Sequence, residues 1–344
     1  MASETIELRR KWWLGTEITK GGFGRIYEAE AEDGSQAVVK LVPKAPGASR
    51  ELLFEPVSGL PNIIPIIDSG EWQDYYVLVM PRAEKSLRQH LNEAGGKLAT
   101  DEAVRVLLDV AEALASLQQG VVHRDLKPEN VLLYESRWCL ADFGIARYAE
   151  ATTAPDTQKY ALTAPYAAPE QWRAERATPA TDVYAFGVMA FELLQGHRPF
   201  PGPSPWDYRE QHLNQAPPRL AGCSPSIASL VTECLYKAPQ ARPTPANILT
   251  RLRASQQAPS PAAAKLQAAN QVIVDRQTQE GAMAAAQKSA EERRTELFAA
   301  AKQSLEGILE RLIARVLEAA PSAAVTQPPN RSCDSATEFW LSIQ

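Results

Sequence analysis

Five short segments of this 344-residue chain carry residue types that phosphate chemistry uses, and they follow one another in order. The first is Gly21-Gly22-Phe23-Gly24, where glycines let the backbone approach phosphate oxygens that a side chain would hold away. Taken alone it suits a glycine-rich hairpin turn with no ligand as well as a phosphate loop. The second is Lys40, a cation closing the apolar run Ala37-Val38-Val39. Solvated lysines are common, so Lys40 gains meaning only from its distance to the segments on either side. Those that follow are His-Arg-Asp-Leu-Lys-Pro-Glu-Asn over 123–130, Asp-Phe-Gly over 142–144 and Ala-Pro-Glu over 168–170. Acids, an amide and lysines in such company suit phosphoryl transfer, which depends on positioning and on neutralising charge spread over the phosphoryl oxygens.

These residues need elements to hold them. From Trp12 to about Arg82 the sequence alternates and is rich in β-branched and aromatic residues, which predicts strands. Residues 49–60 between them can hold only a short helix, because Pro56 lacks an amide donor and clashes with the preceding turn. Beyond Ser86 the period becomes helical, with a helix expected over 101–117, capped by Thr100 and ended near Gly120. A β-rich part followed by a larger helical part predicts an α+β fold of two lobes, about 12–82 and about 83–254, with a crevice between them. Past Arg253 the composition shifts, and 255–344 reads as a linker, an amphipathic helix and a polar tail.

Composition narrows the function further. A hydrophobic content of 45% can fill a large core, and a net charge of −5 gives no reason to expect nucleic acid as the main partner. Cys139, Cys223, Cys234 and Cys333 lack the close pairing of a zinc or redox site and read as reduced thiols. The N-terminus has no apolar signal core, and the most apolar run, 183–194, is too short to cross a bilayer. A soluble, cytoplasmic protein is expected.

The order and spacing of the five motifs, over roughly residues 12 to 254, resemble the eukaryotic-type Ser/Thr protein kinases, and in texture their bacterial members most. The resemblance implies a bilobal kinase fold, ATP as phosphoryl donor, Mg²⁺ or Mn²⁺ as metal, and protein Ser/Thr hydroxyls as acceptors. It implies that Lys40 holds the α- and β-phosphates, that Asp142 and Asn130 bind metal, and that Asp125 orients the substrate hydroxyl while Lys127 reaches the transferred phosphate. Thr19, Gly21, Gly22, Phe23, Gly24 and Ile26 would form the phosphate loop and its flank. Met80 would be the gatekeeper, with Pro81, Arg82 and Ala83 as the connector to adenine: Pro81 through its carbonyl and Ala83 through its N–H. Asp182 resembles the anchor of the catalytic loop, and Arg242 the partner of Glu170. A pseudokinase binding module and a small-molecule kinase are the alternatives.

Two departures matter. Thr19 stands where the loop normally opens with glycine, and the helix pairing with Lys40 offers both Glu51 and Glu55, of which Glu51 fits the spacing better. Autophosphorylation is expected on Thr152, Thr153 or Thr157, sensed by Arg124, with Thr163 kept for substrate positioning beside Asp125. In the tail, Phe298, Leu305, Leu312 and Ala319 recur every seven residues, with Lys302, Leu309 and Val316 interleaved. Such a stripe suits homodimerisation, partner binding or docking on the chain's own globular part.

Overall fold

The computed structural model describes residues 4–21, 24–44, 59–117, 121–142, 163–319, 323–326 and 340–343. They belong to two compact units, 1–286 and 287–344. The first opens with a six-stranded antiparallel sheet: β1 (Thr5–Glu7), β2 (Lys11–Gly21), β3 (Gly24–Ala31), β4 (Gln36–Pro43), β5 (Asp68–Trp72) and β6 (Tyr75–Pro81), in the order β1-β2-β3-β4-β6-β5. Period-2 alternation puts Ala29, Ala31, Ala37, Val39, Leu41, Val77 and Val79 into one core with Trp12 and Leu14. The edge strand β1 lies before the start expected at Trp12, because Ile6 is fully buried in that same core. Buried Asp68 ties the extension down, accepting from Trp12 Nε1 at 2.9 Å, Arg9 Nε at 3.0 Å and the Arg10 N–H at 3.1 Å.

After β7 (Lys85–Ser86) the chain turns helical: α1 (Leu87–Glu93), α2 (Thr100–Ser116), α3 (Pro169–Trp172), α4 (Pro179–Gln195), α5 (Pro205–Asn214), α6 (Pro225–Cys234) and α7 (Pro245–Ser255). Between α2 and α3 lie a short 3₁₀ turn, Pro128–Asn130, and the hairpin of β8 (Val131–Tyr134) and β9 (Arg137–Leu140). Several helices start on one device, a Ser or Thr before a proline at the first helical position. Ser204, Ser224 and Thr244 each accept the N–H three residues on, and proline there gives up no needed donor. α2 differs from expectation in one respect. Thr100 is its first helical residue, Ala99 holds the extended cap position, and the Thr100 hydroxyl bonds the Gly222 carbonyl instead.

The apolar run 183–194 is the inside of α4, buried on all sides. A Cβ on Gly187 would meet the Cys234 side chain at 2.8 Å, so glycine here sets how closely α6 approaches. No described helix is long and apolar enough to cross a membrane.

The last helix, α8 (Pro261–Ala319), does not stand clear of the core at its start. Val274, Thr278 and Ala282 are buried on one face, Gln271 bonds Ser229 at 2.6 Å, and Asp275 pairs with Arg219 at 3.0 Å. Of the heptad stripe read in the sequence, Phe298 and Leu305 are exposed. In the second unit, β10 (Ala323–Thr326) pairs antiparallel with β11 (Trp340–Ile343). This region reads in the sequence only as a polar tail, although its short Ala-Val-Thr and Trp-Leu-Ser-Ile runs have the branched and aromatic residues that favour strands.

Candidate active site

The loop between α2 and the 3₁₀ turn is held from below by one buried carboxylate. Asp182, in the first turn of α4, accepts the N–H groups of His123 at 2.7 Å and Arg124 at 2.8 Å. Burial pushes its carboxyl above the ordinary value, against the pull of those backbone bonds. His123 is fully buried and orders the next step: its Nδ1 accepts from the Asp125 N–H at 3.3 Å, so the proton sits on Nε2, which donates to the Ala141 carbonyl at 2.9 Å. Residues 123–125 are thereby tied to Ala141, the neighbour of Asp142. Arg124 and Asp142 both have left-handed backbones, φ +67° and +60°, uncommon for residues with a Cβ and typical of segments held by their surroundings.

Asp125 is the point of convergence. Lys127 Nζ reaches its Oδ2 at 2.9 Å, Thr163 Oγ1 donates to its Oδ1 at 2.6 Å, and the Asn130 amide nitrogen bonds its backbone carbonyl at 2.8 Å and its Oδ2 at 3.2 Å. Lys127 also donates to the Thr163 hydroxyl at 3.1 Å, closing a triangle of Asp125, Lys127 and Thr163. Lys40, on β4 in register with Ile26 and Leu78, is buried and pairs with Asp142 Oδ1 at 2.6 Å. Of the residues expected at the site, Asp125, Lys127, Asn130 and Thr163 are joined directly, as are Lys40 and Asp142.

The phosphate-loop residues Thr19 and Gly21 lie on β2 opposite Ile26 and Gly24 on β3. Gly24 cannot be replaced without strain: its φ is +135° and a Cβ would stand 2.4 Å from the Leu41 carbonyl oxygen. Met80 and Pro81 close β6 against Val38 and Ala37, and Met80 packs on Ile64, Cys139 and Ala141, with Ala83 just beyond. Gly22, Phe23, Glu51 and Glu55 lie outside the described residues, as do Thr152, Thr153 and Thr157.

The pair suspected between Glu170 and Arg242 is buried and bidentate, at 2.7 and 2.9 Å, and Thr181 adds a third bond to Glu170 at 2.9 Å. Burial alone would raise the Glu170 carboxyl, but the Arg242 bonds outweigh it and hold the carboxyl below its ordinary value.

A second charge cluster has no counterpart in the sequence motifs. Arg88 on α1 donates to Glu129 at 2.7 Å, to Glu192 at 2.9 Å and to the Tyr166 hydroxyl at 2.5 Å, while Tyr166 also bonds Glu192. Burial would lower the Arg88 guanidinium, yet Glu192 and Glu129 raise it; burial pushes the Tyr166 hydroxyl well up. These partners stand up to 104 residues apart, beyond any local spacing. The only hint in the sequence is that Glu129 lies within one recognised motif and Tyr166 just before another.

Among the described residues no group of three or more His, Cys, Asp or Glu could hold a metal by itself. Asp142 and Asn130 offer hard oxygen atoms, and the Asn130 amide nitrogen is spent on Asp125, which leaves its oxygen as the ligand atom. Two such donors suit a hard divalent cation that keeps waters and substrate phosphates in its shell.

Comparison with known proteins gives a match to the family described as protein kinase domain over residues 12–252. The chain is 37% identical over 269 residues to the serine/threonine-protein kinase PkaA of Streptomyces coelicolor, covering 71% of this chain and 49% of the relative. It is 32% identical over 245 residues to the probable serine/threonine-protein kinase pknA2 of Bifidobacterium longum, covering 66% of this chain and 32% of that protein. With the serine/threonine-protein kinase PrkC of Bacillus subtilis it shares 36% identity over 180 residues, 52% of this chain and 28% of PrkC. The chain thus spans half or less of the length of these relatives.

Proposed function

The chain belongs to the protein kinase domain family, and from that premise we propose that it transfers the γ-phosphoryl group of ATP to Ser and Thr hydroxyls of proteins. The observation that carries this reading is the convergence of Lys127, Thr163 and Asn130 on Asp125. A carboxylate held by three donors is oriented before substrate arrives, so it can accept the hydrogen bond of an incoming hydroxyl and direct it for attack. Lys127 stands next to it as a charge for the transferred group, and Lys40 would exchange its bond to Asp142 for the α- and β-phosphates. When bound, ATP supplies the phosphoryl group and Mg²⁺, taken up by Asp142 and Asn130, neutralises charge developing on it. The bacterial serine/threonine kinases to which the chain is similar favour Ser/Thr acceptors, as does lysine at position 127.

Incubation with labelled ATP, Mg²⁺ and a general protein substrate tests the reading. Label on Ser or Thr is expected, whereas label only on small molecules, or none, overturns it. The same reaction tests autophosphorylation, which we place on Thr152, Thr153 or Thr157; mass spectrometry of the active protein finding that segment unmodified would remove it. Self-association through α8 belongs to the same proposal. It is supported by the exposure of Phe298 and Leu305 and is read from the mass of the full chain in light scattering.

Thr163 gives a sharper expectation. Because its hydroxyl both donates to Asp125 and accepts from Lys127, Thr163→Ala should lower kcat by about tenfold, near 1.4 kcal/mol, while Thr163→Ser keeps most activity. Equal kcat in the two variants would detach Thr163 from the site.

A further inference from the structure

We infer that Gln171 is a positioning residue for the catalytic loop, acting through the peptide group that joins Arg124 to Asp125. This rests on the proposed role of Asp125. The backbone of Arg124, at φ +67°, lies in a region that a residue with a Cβ enters only when its neighbours impose it. One side of that imposition is Asp182, which takes the Arg124 N–H at 2.8 Å. The other is Gln171 on α3, whose Nε2 donates to the Arg124 carbonyl at 3.1 Å.

The Gln171 side chain is itself fixed. Its Oε1 accepts the N–H of buried Ala168 at 2.9 Å, and its own N–H bonds the Ala168 carbonyl at 2.9 Å. The amide can face only one way, because the Ala168 N–H can only donate and the Arg124 carbonyl can only accept. Arg124 is thus gripped at both its polar backbone atoms, from α4 and from α3, and the residue that follows is Asp125. A shift of this peptide turns the Asp125 carboxylate away from its bonds to Thr163 and Lys127.

Only an amide serves both contacts. Alanine removes both, whereas glutamate keeps the acceptor for Ala168 and sets a second oxygen against the Arg124 carbonyl. Two facing acceptors repel, so the isosteric change is worse than the truncation, an order that packing alone does not give. Protonation of the substituted glutamate would restore a donor on that oxygen. The titratable and charged groups bonded around this peptide are His123, whose Nδ1 takes the Asp125 N–H, Asp125 itself with Lys127 on its carboxylate, Asp182 on α4 and Arg124; the adjacent Glu170 is committed to Arg242.

The test compares Gln171→Ala and Gln171→Glu in the full chain. Gln171→Ala should lower kcat about fivefold to tenfold with KM for ATP unchanged within about twofold, since Asp125 orients the acceptor and not the nucleotide. Gln171→Glu should fall several-fold further, and its activity relative to wild type should rise from about pH 8 to about pH 5.5 as the carboxyl gains its proton. Glutamate equal to or better than alanine, or a ratio flat with pH, overturns the assignment. Hydrogen exchange reads the same point without catalysis: the Arg124 amide should exchange faster in Gln171→Glu at high pH than in wild type under the same conditions, and the Ala168 amide faster in Gln171→Ala, which lacks its acceptor, while α4 stays protected. If wild type transfers no phosphate, the proposed function fails and exchange still decides the role of Gln171. Unchanged exchange at Arg124 in both variants would exclude it. Should Gln171→Glu fail to fold, Gln171→Ala decides through its kcat and exchange together.

Discussion

Asp142→Asn is expected to lower kcat by about a thousandfold or more, roughly 4 kcal/mol of barrier, with little loss of stability. The argument is electrostatic. Asp142 supplies a full negative charge next to the carbonyl-bonded loop around His123, and it pairs with the buried ammonium of Lys40 at 2.6 Å. Asparagine keeps the shape and can still accept from Lys40, so the fold has little to lose. What disappears is the charge that would bind a divalent cation, and phosphoryl transfer depends on that charge being neutralised at the right place. The measurement is single-turnover and steady-state kinetics beside a thermal melt. A variant retaining more than about a tenth of wild-type kcat, a loss under about 1.4 kcal/mol, would end the metal role given to Asp142.

The second large effect is on stability. Arg242→Ala should cost about 3–5 kcal/mol, because it leaves Glu170 charged and buried without its counter-ion, held by uncharged donors such as the Thr181 hydroxyl. Replacing both partners by apolar residues of similar volume should recover much of that loss, since it is the orphaned charge and not the missing attraction that costs most. Urea unfolding of the single and double variants separates the two. A loss below about 1 kcal/mol for Arg242→Ala would mean that the pair is effectively solvated. The sign of the pH dependence is fixed by the depressed Glu170 carboxyl. Its contribution is complete above the ordinary glutamate pKa and is lost as pH falls through the lower folded value. The difference between wild type and Arg242→Ala should therefore shrink in acid.

The parts of this site that could be read from the sequence are those where chemistry lies within a few consecutive residues. Asp125, Lys127 and Asn130 sit within six positions, and their mutual bonds follow from one tight loop and a 3₁₀ turn. Asp182 and Arg242 were legible through the motifs they adjoin, and both are bonded to the expected partners. Arg88, Glu192 and Gln171 were not, because each acts across a gap in the chain that only tertiary packing closes: 104 residues from Arg88 to Glu192 and 47 from Gln171 to Arg124. Local pattern also misplaced a cap. Thr100 and Ala99 are adjacent, and which of them is extended depends on a contact with Gly222 that spacing cannot express. The strand β1 escaped notice because three residues are too few to show alternation.

The match to the protein kinase domain family ends at residue 252, yet the unit that packs together continues to residue 286. Gln271, Asp275 and Thr278 on α8 bind a surface that α6 and the segment around Arg219 would otherwise present to solvent. The stretch shared with the family and the stretch that packs as one body are therefore different lengths. A fragment trimmed to the shared stretch would keep every residue named at the site and still be a different object: a domain with its flank uncovered, prone to find a substitute for the helix it has lost.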